Sequence, residues 1–373
     1  MAPPEKVLVA LSGGVDSAVA ALRLKREGYD VHAAYLRSWM DEPGDELFAD
    51  CPWEEDIRHA QAVAHQLGIP FEVIDVIEAY REKVVDYLVE GYRRGLTPNP
   101  DIMCNREMKF GLLREVAIRE GFDWLATGHY CRRGTGPDGR SAVFTGHDEN
   151  KDQSYFLAMV EADALQSALF PVGELTKPQV RAEAESASLP NATRKDSQGI
   201  CFLGKVNINQ FLARYIEDRP GPICHALDGR VLGEHRGLHH FTLGQRKGLG
   251  IPSNADFERY VVVAKDFTTN TLRVAFESPD APGLYTRVVE TCPPLWQSPR
   301  VAGEAVQTRV RYRDPPVSTE VIEETGGGLT LRFDHPQRAL APGQMVAFYQ
   351  DNRLIGGAIY SNTMSQSQVL SQI

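Results

Sequence analysis

The stretch KVLVALSGGVDSAVA (residues 6–20) places a short apolar run directly before a loop of glycine and serine, and a helical pattern directly after it. Lys6–Leu11 predicts a buried strand, and Val15, Val19 and Leu22 recur at helical spacing up to Gly28. The intervening loop can offer backbone N–H groups, serine hydroxyls and a helix N-terminus to an anion. We therefore predict a phosphate-binding loop here. The alternative is a turn that merely packs the strand against the helix.

The same alternation continues beyond this loop. Buried strands are predicted at Val31–Leu36, Phe71–Val76 and Trp124–Thr127, and helices are predicted around residues 57–67, 77–95 and 108–121. Strands alternating with helices of this length favour a doubly wound parallel sheet with helices on both faces. The fold class is therefore α/β in the N-terminal part.

The pattern changes after about residue 207, where short alternating runs rich in Gly and Pro replace the helices. Arg259–Ala264 and Thr271–Phe276 flank a polar turn and predict a hairpin, and Val306–Tyr312 alternates as a strand. We expect a small central domain and a C-terminal β-barrel. The expected boundaries are 1–207 for the catalytic domain, 208–280 for the central domain, 281–362 for the barrel and 363–373 for a polar tail.

Length and composition are those of a globular protein: 373 residues, 42% hydrophobic and 24% charged. No apolar run approaches the roughly 20 residues of a membrane span, and the N-terminus has neither a signal-peptide pattern nor an Arg-rich presequence. We therefore expect a cytoplasmic protein without membrane contact, and we expect a monomer. The six cysteines are scattered without a CxxC pair, which argues against zinc ribbons and iron–sulfur motifs of that type.

The net charge of −10 argues at first against a nucleic-acid partner, because phosphate contacts need Lys and Arg. The charge is unevenly distributed, however. Residues 41–56 are rich in Asp and Glu and contain no Lys or Arg, whereas basic residues form clusters elsewhere in the chain. Those clusters are Arg93–Arg94, Arg106–Lys109, Arg132–Arg133, Arg194–Lys195, Arg246–Lys247 and Arg309–Arg313. A local basic track on an acidic protein can hold RNA.

Two cysteine segments have the context of reactive thiols. NPDIMCN (residues 99–105) carries Cys104, and DSQGICF (residues 196–202) carries Cys201. Basic residues flank both segments, and neighbouring positive charge raises the thiolate fraction that sulfur chemistry requires. The alternative is a pair of buried structural cysteines.

Together these segments resemble a known family. SGGVDS resembles the pyrophosphate loop of the ATP-pyrophosphatase superfamily, whose members transfer AMP to a carbonyl oxygen. The chain as a whole resembles the tRNA-specific 2-thiouridylases over residues about 6 to 360. The further segments that carry this resemblance are NPDIMCN, ATGHY (126–130), KDQSYFL (151–157), DSQGICF, LGQRKGLGI (243–251), RVRYR (309–313) and PGQMVAFY (342–349). The resemblance implies a Rossmann-like N-terminal domain of the adenine nucleotide alpha-hydrolase type.

The resemblance also implies site residues. ATP would contact Ala10, Leu11, Ser12, Gly13, Gly14, Val15, Asp16, Ser17, Leu36 and Gly128, with Leu36 at the family's usual Met position. The target base would contact Asn99, Pro100 and Asp101, and tRNA would contact His129, Lys151, Asp152, Gln153, Arg311, Tyr312 and Gln344. Cys104 would be the attacking cysteine, and Cys201 would carry the persulfide. No resident metal site is implied, although Mg²⁺ would accompany ATP.

The implied reaction makes 2-thiouridine at the wobble uridine of tRNA. Transfer of AMP to the 2-carbonyl oxygen turns a poor leaving group into a good one, and pyrophosphate is released. A persulfide on Cys201, loaded by a sulfur-carrier protein, then supplies sulfur to the activated carbon. Sulfur attacks either while still bound to Cys201 or as hydrosulfide released when Cys104 attacks the persulfide. Either route ends with AMP and a transient Cys104–Cys201 disulfide.

Several of these residues could have a structural role instead of a role in catalysis or binding. Asp101 could act as a base or cap a turn, and Asp16 could help to bind Mg²⁺ or cap the helix. His129 could be a core histidine, and Lys151–Gln153 an ordinary helix start. Arg309, Arg311 and Arg313 could form a solvated strand face.

Two other functions are alternatives to tRNA thiolation. An ATP-pyrophosphatase ligase acting on a small acceptor needs neither the two cysteines nor a basic β domain. A non-catalytic RNA-binding protein would be expected to carry a damaged phosphate loop, whereas SGGVDS is intact.

Overall fold

The computed structural model describes residues 3–39, 53–195, 207–252, 258–301, 305–323 and 326–361. Cys51, Cys201, most of the acidic stretch and the predicted polar tail lie outside these residues. Within the described ranges, no helix is both long and apolar enough to cross a bilayer.

The N-terminal part alternates strands and helices as the sequence predicts. Its elements are, in order, β1 (Lys6–Ala10), α1 (Val15–Arg26), β2 (Asp30–Arg37), α2 (Trp53–Leu67), β3 (Phe71–Asp75), α3 (Ile77–Tyr80), a π-helical segment (Arg81–Val85), α4 (Asp86–Arg93), α5 (Pro100–Met103), a second π-helical segment (Cys104–Leu113), α6 (Arg114–Arg119), β4 (Trp124–Ala126), β5 (Cys131–Thr135), β6 (Ser141–Thr145), a 3-10 helix (Ser154–Leu157), α7 (Ala162–Gln166), β7 (Ala168–Leu169) and α8 (Lys177–Ser186).

Five of these strands form a parallel sheet in the order β3-β2-β1-β4-β7. Successive residues of β1 point to opposite faces, so that Val7 and Val9 belong to one buried cluster and Leu8 to another. The first cluster contains residues of α1, α2 and α8, and the second contains residues of the second π-helical segment, α6 and α7. This arrangement confirms the doubly wound α/β prediction.

The remaining chain is almost entirely β structure. Its elements are α9 (Ile208–Leu212), β8 (Gly221–His225), β9 (Val231–His235), a 3-10 helix (Leu238–His240), β10 (Tyr260–Asp266), β11 (Thr271–Phe276), β12 (Tyr285–Thr291), β13 (Leu295–Trp296), β14 (Gln307–Arg309), β15 (Val317–Glu323), β16 (Leu329–Arg338), β17 (Met345–Gln350) and β18 (Arg353–Ile359). The predicted hairpin is confirmed as β10–β11 in a four-stranded sheet, β10-β11-β8-β9.

The C-terminal strands join a nine-stranded sheet that also includes β5 and β6 from the N-terminal part of the chain. The β5–β6 hairpin was not predicted from the sequence. A signal for it exists in Pro137-Asp138-Gly139, since Gly139 takes a φ of 78° in the turn between the two strands. The hairpin connects the sheet of the C-terminal region to the chain that leads out of β4.

The predicted strand over Val306–Tyr312 is wrong in its second half. Strand β14 ends at Arg309, and Arg313 takes a positive φ of 68° that no strand residue adopts. The chain turns because the guanidinium of Arg311 donates to the main-chain oxygens of Arg338 and Ala339 instead of lying on a strand face. The alternating face of Arg309, Arg311 and Arg313 therefore does not form.

Candidate active site

The phosphate loop lies at the point where the parallel sheet changes direction. The chain moves outward from β1 to β2 and β3, and then returns to β4 on the other side of β1. Loops that follow neighbouring strands on either side of such a point leave a crevice at the carboxyl ends of the strands, which is where ligands bind in open α/β sheets. The loop after β1 and the Thr127–Gly128 turn after β4 border this crevice.

Local contacts fix the shape of the loop. Gly13 has a φ of 78°, and Gly14 is the N-cap of α1. The Ser17 hydroxyl accepts a hydrogen bond from the Ser12 N–H (3.2 Å) and donates one to the Gly14 carbonyl (3.1 Å). The first N–H groups of α1 lack intrahelical partners, as at any helix N-terminus, and they are directed at the crevice.

Gly128 allows β4 to approach this helix closely. A Cβ atom at Gly128 would lie 2.7 Å from the Ser17 nitrogen and 2.8 Å from the Asp16 carbonyl carbon, so a larger residue would push α1 away from the crevice. This contact places Gly128 beside the loop, as the resemblance implied. The contact with ATP itself stays a prediction.

Asp16 is an anchor for the loop. Its Oδ1 atom accepts hydrogen bonds from the Tyr130 hydroxyl (2.7 Å) and from the Lys177 ammonium (2.7 Å). The Lys177 side chain is only 11% exposed, so this ion pair is substantially shielded from water. Lys177 was missed by the sequence analysis, because nothing in the local Thr-Lys-Pro pattern indicates a partner 161 residues away.

Arg194 connects the loop to the second cysteine segment. The guanidinium of Arg194 donates to the Gly13 carbonyl (3.1 Å) and forms an ion pair with Asp56. Asn191 donates to the same carbonyl (2.8 Å). Arg194 and Lys195 are the last residues described before the segment that carries Cys201, so the chain enters that segment at the phosphate loop.

Cys104 lies at the same end of the sheet. Asn99 caps α5 by accepting hydrogen bonds from the N–H groups of Asp101 (3.1 Å) and Ile102 (3.4 Å), and Cys104 follows directly as the first residue of the second π-helical segment. Cys104 itself belongs to the buried cluster against which Leu36 and Ile74 pack, near the carboxyl ends of β2 and β3. The short helix therefore places Cys104 near the carboxyl ends of both strands. The Cys104 side chain is buried, with 5% of the residue exposed.

Cys131 is a second buried cysteine of the N-terminal region. Burial, with a smaller contribution from the nearby Asp152 carboxylate, raises the pKa of the Cys131 thiol well above its usual value of 9.0. A thiol in that environment stays protonated and is a poor nucleophile.

Two of the seven residues predicted to contact tRNA, Tyr312 and Gln344, lie beside the NPDIMCN segment. The Tyr312 ring packs on Phe156 with 4.5 Å between ring centroids, and the Phe156 carbonyl accepts a hydrogen bond from Asn105 (3.5 Å). Gln344 donates to the carbonyl of Thr97 (2.6 Å), two residues before Asn99. The barrel therefore contacts Thr97, just before the NPDIMCN segment, and reaches the other end of the segment through Phe156.

Asp152 and Gln153, two of the residues predicted to contact tRNA, form hydrogen bonds inside the protein. The carboxylate of Asp152 is buried, where it accepts hydrogen bonds from the N–H groups of Gly146 (2.9 Å) and Ser154 (3.1 Å) and forms an ion pair with Arg309. Gln153 accepts a hydrogen bond from the Tyr130 N–H (3.0 Å). These contacts fit the alternative of a helix start better than an exposed RNA surface.

His129 is also buried, with 7% of the residue exposed. Its Nδ1 atom lies 2.8 Å from the Thr127 hydroxyl, and its ring packs near Phe110 and Phe170. Burial, with a smaller contribution from Lys109, holds the pKa of His129 well below its usual 6.5. A neutral histidine in this position matches the core alternative.

A parallel sheet with this loop at its switch point, followed by two β regions, defines a Rossmann-like α/β protein with two additional β domains. Residues 5–205 match the family model described as the tRNA methyl transferase HUP domain. Residues 209–276 match the tRNA methyl transferase PRC-barrel domain, and residues 293–360 match the aminomethyltransferase beta-barrel domain. These matches agree with the predicted fold class of a Rossmann-like sheet, a small central domain and a C-terminal barrel.

Similar proteins span the whole chain. A protein from Akkermansia muciniphila named tRNA-specific 2-thiouridylase MnmA is 48% identical over 358 residues, covering 96% of this chain and 99% of the relative. Proteins of the same name from Halorhodospira halophila and Streptococcus sanguinis are 44% and 40% identical and cover 95% and 99% of this chain, and 93% and 98% of their own lengths. The chain belongs to the tRNA-specific 2-thiouridylase family.

Proposed function

We propose that this protein is an ATP-dependent tRNA uridine 2-sulfurtransferase, which converts the wobble uridine of tRNA to 2-thiouridine. The observation that carries the proposal is the convergence of three features at one end of the sheet: the phosphate loop, the Cys104 loop and the chain that leads into the Cys201 segment. Adenylation needs the first feature, and sulfur transfer needs the other two. The family models are described as tRNA methyl transferase domains, whereas the relatives are named 2-thiouridylases. A cysteine at the same end of the sheet as the phosphate loop suits sulfur transfer.

The phosphate loop would hold the pyrophosphate part of ATP. Residues Ala10–Ser17 and Gly128 supply the N–H groups and the close backbone approach, with Leu36 on the adenine side. Arg194 stands beside Gly13, where its guanidinium can also stabilise negative charge that develops as pyrophosphate leaves. Mg²⁺ would arrive with ATP. The Asp16 carboxylate already binds Tyr130 and Lys177, so its contacts support the role of a loop anchor.

The uridine would enter beside Asn99, Pro100 and Asp101. Because the Asn99 side chain caps α5, its contribution is to fix the orientation of Asp101 and Cys104. Asp101 lies in the first turn of that helix, half-buried, where its carboxylate can orient the uracil ring or accept a proton. The 2-carbonyl oxygen attacks the α-phosphorus of ATP and displaces pyrophosphate, which leaves an adenylated C2 carbon.

Sulfur then replaces the adenylate. A persulfide on Cys201 carries the transferable sulfur, and AMP leaves with the former carbonyl oxygen. Cys104 attacks the Cys201 sulfur, either after the terminal sulfur has bonded to C2 or before, with release of hydrosulfide. Both routes transfer one sulfur atom to C2 and leave a Cys104–Cys201 disulfide, which two electrons from a reductant return to thiols.

The barrel and the Cys104 loop form one candidate tRNA surface. We propose that Lys151, Arg311, Tyr312 and Gln344 contact tRNA around this loop. The support is that Tyr312 and Gln344 lie beside the NPDIMCN segment and that Arg311 directly precedes Tyr312. Asp152, Gln153 and His129 would contribute by holding the same surface in shape. RNA recognition of this kind relies on shape, backbone and exposed bases more than on duplex sequence.

We further propose the domain boundaries 1–207, 208–280 and 281–362, a separate persulfide carrier as the sulfur source, and a monomer that acts in the cytoplasm. The five-stranded and four-stranded sheets fall within the first two ranges, and the β5–β6 hairpin is the part of the first range that joins the sheet of the third. Size-exclusion chromatography with light scattering tests the monomer.

The decisive experiment supplies the full chain with ATP, a persulfide donor and tRNA that has an unmodified wobble uridine. We expect 2-thiouridine in the digested tRNA by mass spectrometry, with AMP and pyrophosphate formed in equal amounts. Cys104→Ser and Cys201→Ser should each abolish 2-thiouridine while ATP binding is retained. Cys292→Ser is the matched control, since Cys292 is exposed and lies in the barrel region. Thiolation by either active-site variant, or its loss in the control, would contradict the assignment.

A further inference from the structure

The central domain contains a cluster of side chains that the proposed reaction does not use. Asp218 follows α9, and His239 and His240 lie in the 3-10 helix after β9. The Asp218 Oδ1 atom lies 2.6 Å from His240 Nε2 and 3.5 Å from His239 Nε2. Across the described parts of the chain, this is the one group of three such residues whose ligand atoms all lie within 4.8 Å of one another.

We propose that Asp218, His239 and His240 form a binding site for Zn²⁺ or a similar divalent transition metal, with water as the fourth ligand. Two imidazoles and one carboxylate are typical ligands of tetrahedral zinc. In such a site, with bonds of about 2.0–2.1 Å, ligand atoms lie roughly 3.3 Å apart. The observed separations of 2.6 and 3.5 Å therefore need only small adjustments to receive the ion.

The strongest support is an unsatisfied nitrogen. His239 is 6% exposed, and its buried Nε2 atom has no hydrogen-bond partner among the described residues, although it lies 3.5 Å from the Asp218 carboxylate. A buried polar atom without a partner is costly, and a bound ion is one of the recognised ways to satisfy it.

Arg236 orients the carboxylate for this role. Its Nε and Nη2 atoms donate to Asp218 Oδ2 at 2.8 and 2.6 Å, which leaves Oδ1 facing the two histidines. Hydrogen bonds of this kind on the distal oxygen commonly fix a ligating carboxylate. A phosphate in the same place would be repelled by Asp218, so the carboxylate at the point of convergence favours a cation.

The site would join two parts of the central domain that are distant in sequence. It would tie the loop after α9 to the start of the LGQRKGLGI segment. The neighbouring Thr242 lies within hydrogen-bond distance of Thr97 (Oγ1 to Oγ1, 3.3 Å), just before the NPDIMCN segment. The metal would thus hold the central domain against the catalytic domain. Binding would displace the proton from His240 Nε2 to Nδ1 or to solvent, with no redox change.

Cobalt titration of the full-length protein tests the site, because Co²⁺ replaces Zn²⁺ and its visible absorption reports four-coordinate geometry. We expect one equivalent of Co²⁺ to bind without a thiolate-to-cobalt band, and Zn²⁺ to displace it and raise the melting temperature. Asp218→Asn and His240→Gln should each weaken binding by at least tenfold and remove the thermal shift. Asp218 is partly exposed, so its variant should fold, which circular dichroism checks; His240→Gln is the independent second variant.

The matched control is Asp228→Asn, which breaks a second His–Asp pair of the same domain. His225 Nδ1 lies 3.0 Å from Asp228 Oδ1, outside the three-residue group. Cobalt binding should be unchanged in this variant. Failure of the wild type to bind one equivalent, retained binding in both site variants, or a spectrum dominated by thiolate ligands would each overturn the proposal.

Discussion

Substitution of Gly13 by alanine gives a quantitative test of the phosphate loop. Two separate features oppose a side chain at this position. The φ of 78° lies in the left-handed region, which costs an L-residue about 1–2 kcal/mol. In addition, the new Cβ would overlap the main-chain oxygen of Asp56 and lie 3.0 Å from Arg194 Nη1. Because the Asp56 oxygen is backbone, the loop itself must move.

Two other glycines separate these effects. Gly28 also has a positive φ, 91°, but nothing lies within 4 Å of its Cβ position, so Gly28→Ala should cost about 1 kcal/mol from strain alone. Gly14 has a φ of −77° and its Cβ position is 3.5 Å from the Ser12 hydroxyl, so Gly14→Ala should cost under about 1 kcal/mol. Gly13→Ala combines strain with overlap, and we expect a loss of about 2–4 kcal/mol.

Urea unfolding of the apo protein measures these three losses through the transition of the N-terminal domain, and calorimetric titration measures ATP affinity. A loop displaced by the overlap should bind ATP at least about tenfold more weakly, the equivalent of about 1.4 kcal/mol. Gly28→Ala should bind ATP normally because Gly28 lies at the other end of α1. The reasoning is refuted if Gly13→Ala and Gly28→Ala lose the same stability and retain the same ATP affinity.

Three further predictions concern side chains that the structure connects. Lys177→Met removes one of two donors from Asp16 and should weaken ATP binding roughly tenfold by calorimetry, since a charge-assisted hydrogen bond contributes about 1.5–3 kcal/mol. Arg309→Met leaves the Asp152 carboxylate buried without its cation and should lower the free energy of unfolding by about 3 kcal/mol. Below pH 6.5 the free energy of unfolding should fall progressively, because His129 takes up a proton in the unfolded chain but stays neutral in the native state. His129→Gln should reduce this pH dependence, measured by urea unfolding, by up to about 1.4 kcal/mol per pH unit.

Matched variants control these measurements. Tyr130→Phe removes the other Asp16 donor, which is uncharged, and should weaken ATP binding less than Lys177→Met does. Arg332→Met breaks an exposed pair with Glu320 and should cost under about 1 kcal/mol. If the two variants of a pair lost equal ATP affinity, or equal free energy of unfolding, burial and charge would not explain the size of these losses. Undiminished acid sensitivity in His129→Gln would mean that another group causes the acid response.

The sequence predicted those features that are fixed by residues close to one another in the chain. The phosphate loop, the cap at Asn99 and the β10–β11 hairpin depend on residues within a few positions of one another, and each has a recognisable pattern. The ion pairs of Asp16 with Lys177 and of Asp152 with Arg309 join residues 161 and 157 positions apart, so nothing in either local segment indicates the partner. The early end of β14 has the same origin, because the carbonyl groups that bind Arg311 belong to β16 and the residue after it.

Those internal contacts change how the basic residues should be counted. Arg194, Arg309 and Arg311 all belong to basic clusters in the sequence, yet each donates to a carboxylate or a main-chain carbonyl inside the protein. A guanidinium has five N–H donors, so one that is fixed by an internal bond can still present its remaining donors to a phosphate. Such a group is already oriented and loses less side-chain entropy on binding than a mobile lysine does. An acidic protein can therefore bind tRNA with few, well-ordered arginines, and we expect the logarithm of its tRNA affinity to fall less steeply with salt than a count of the clustered basic residues would suggest.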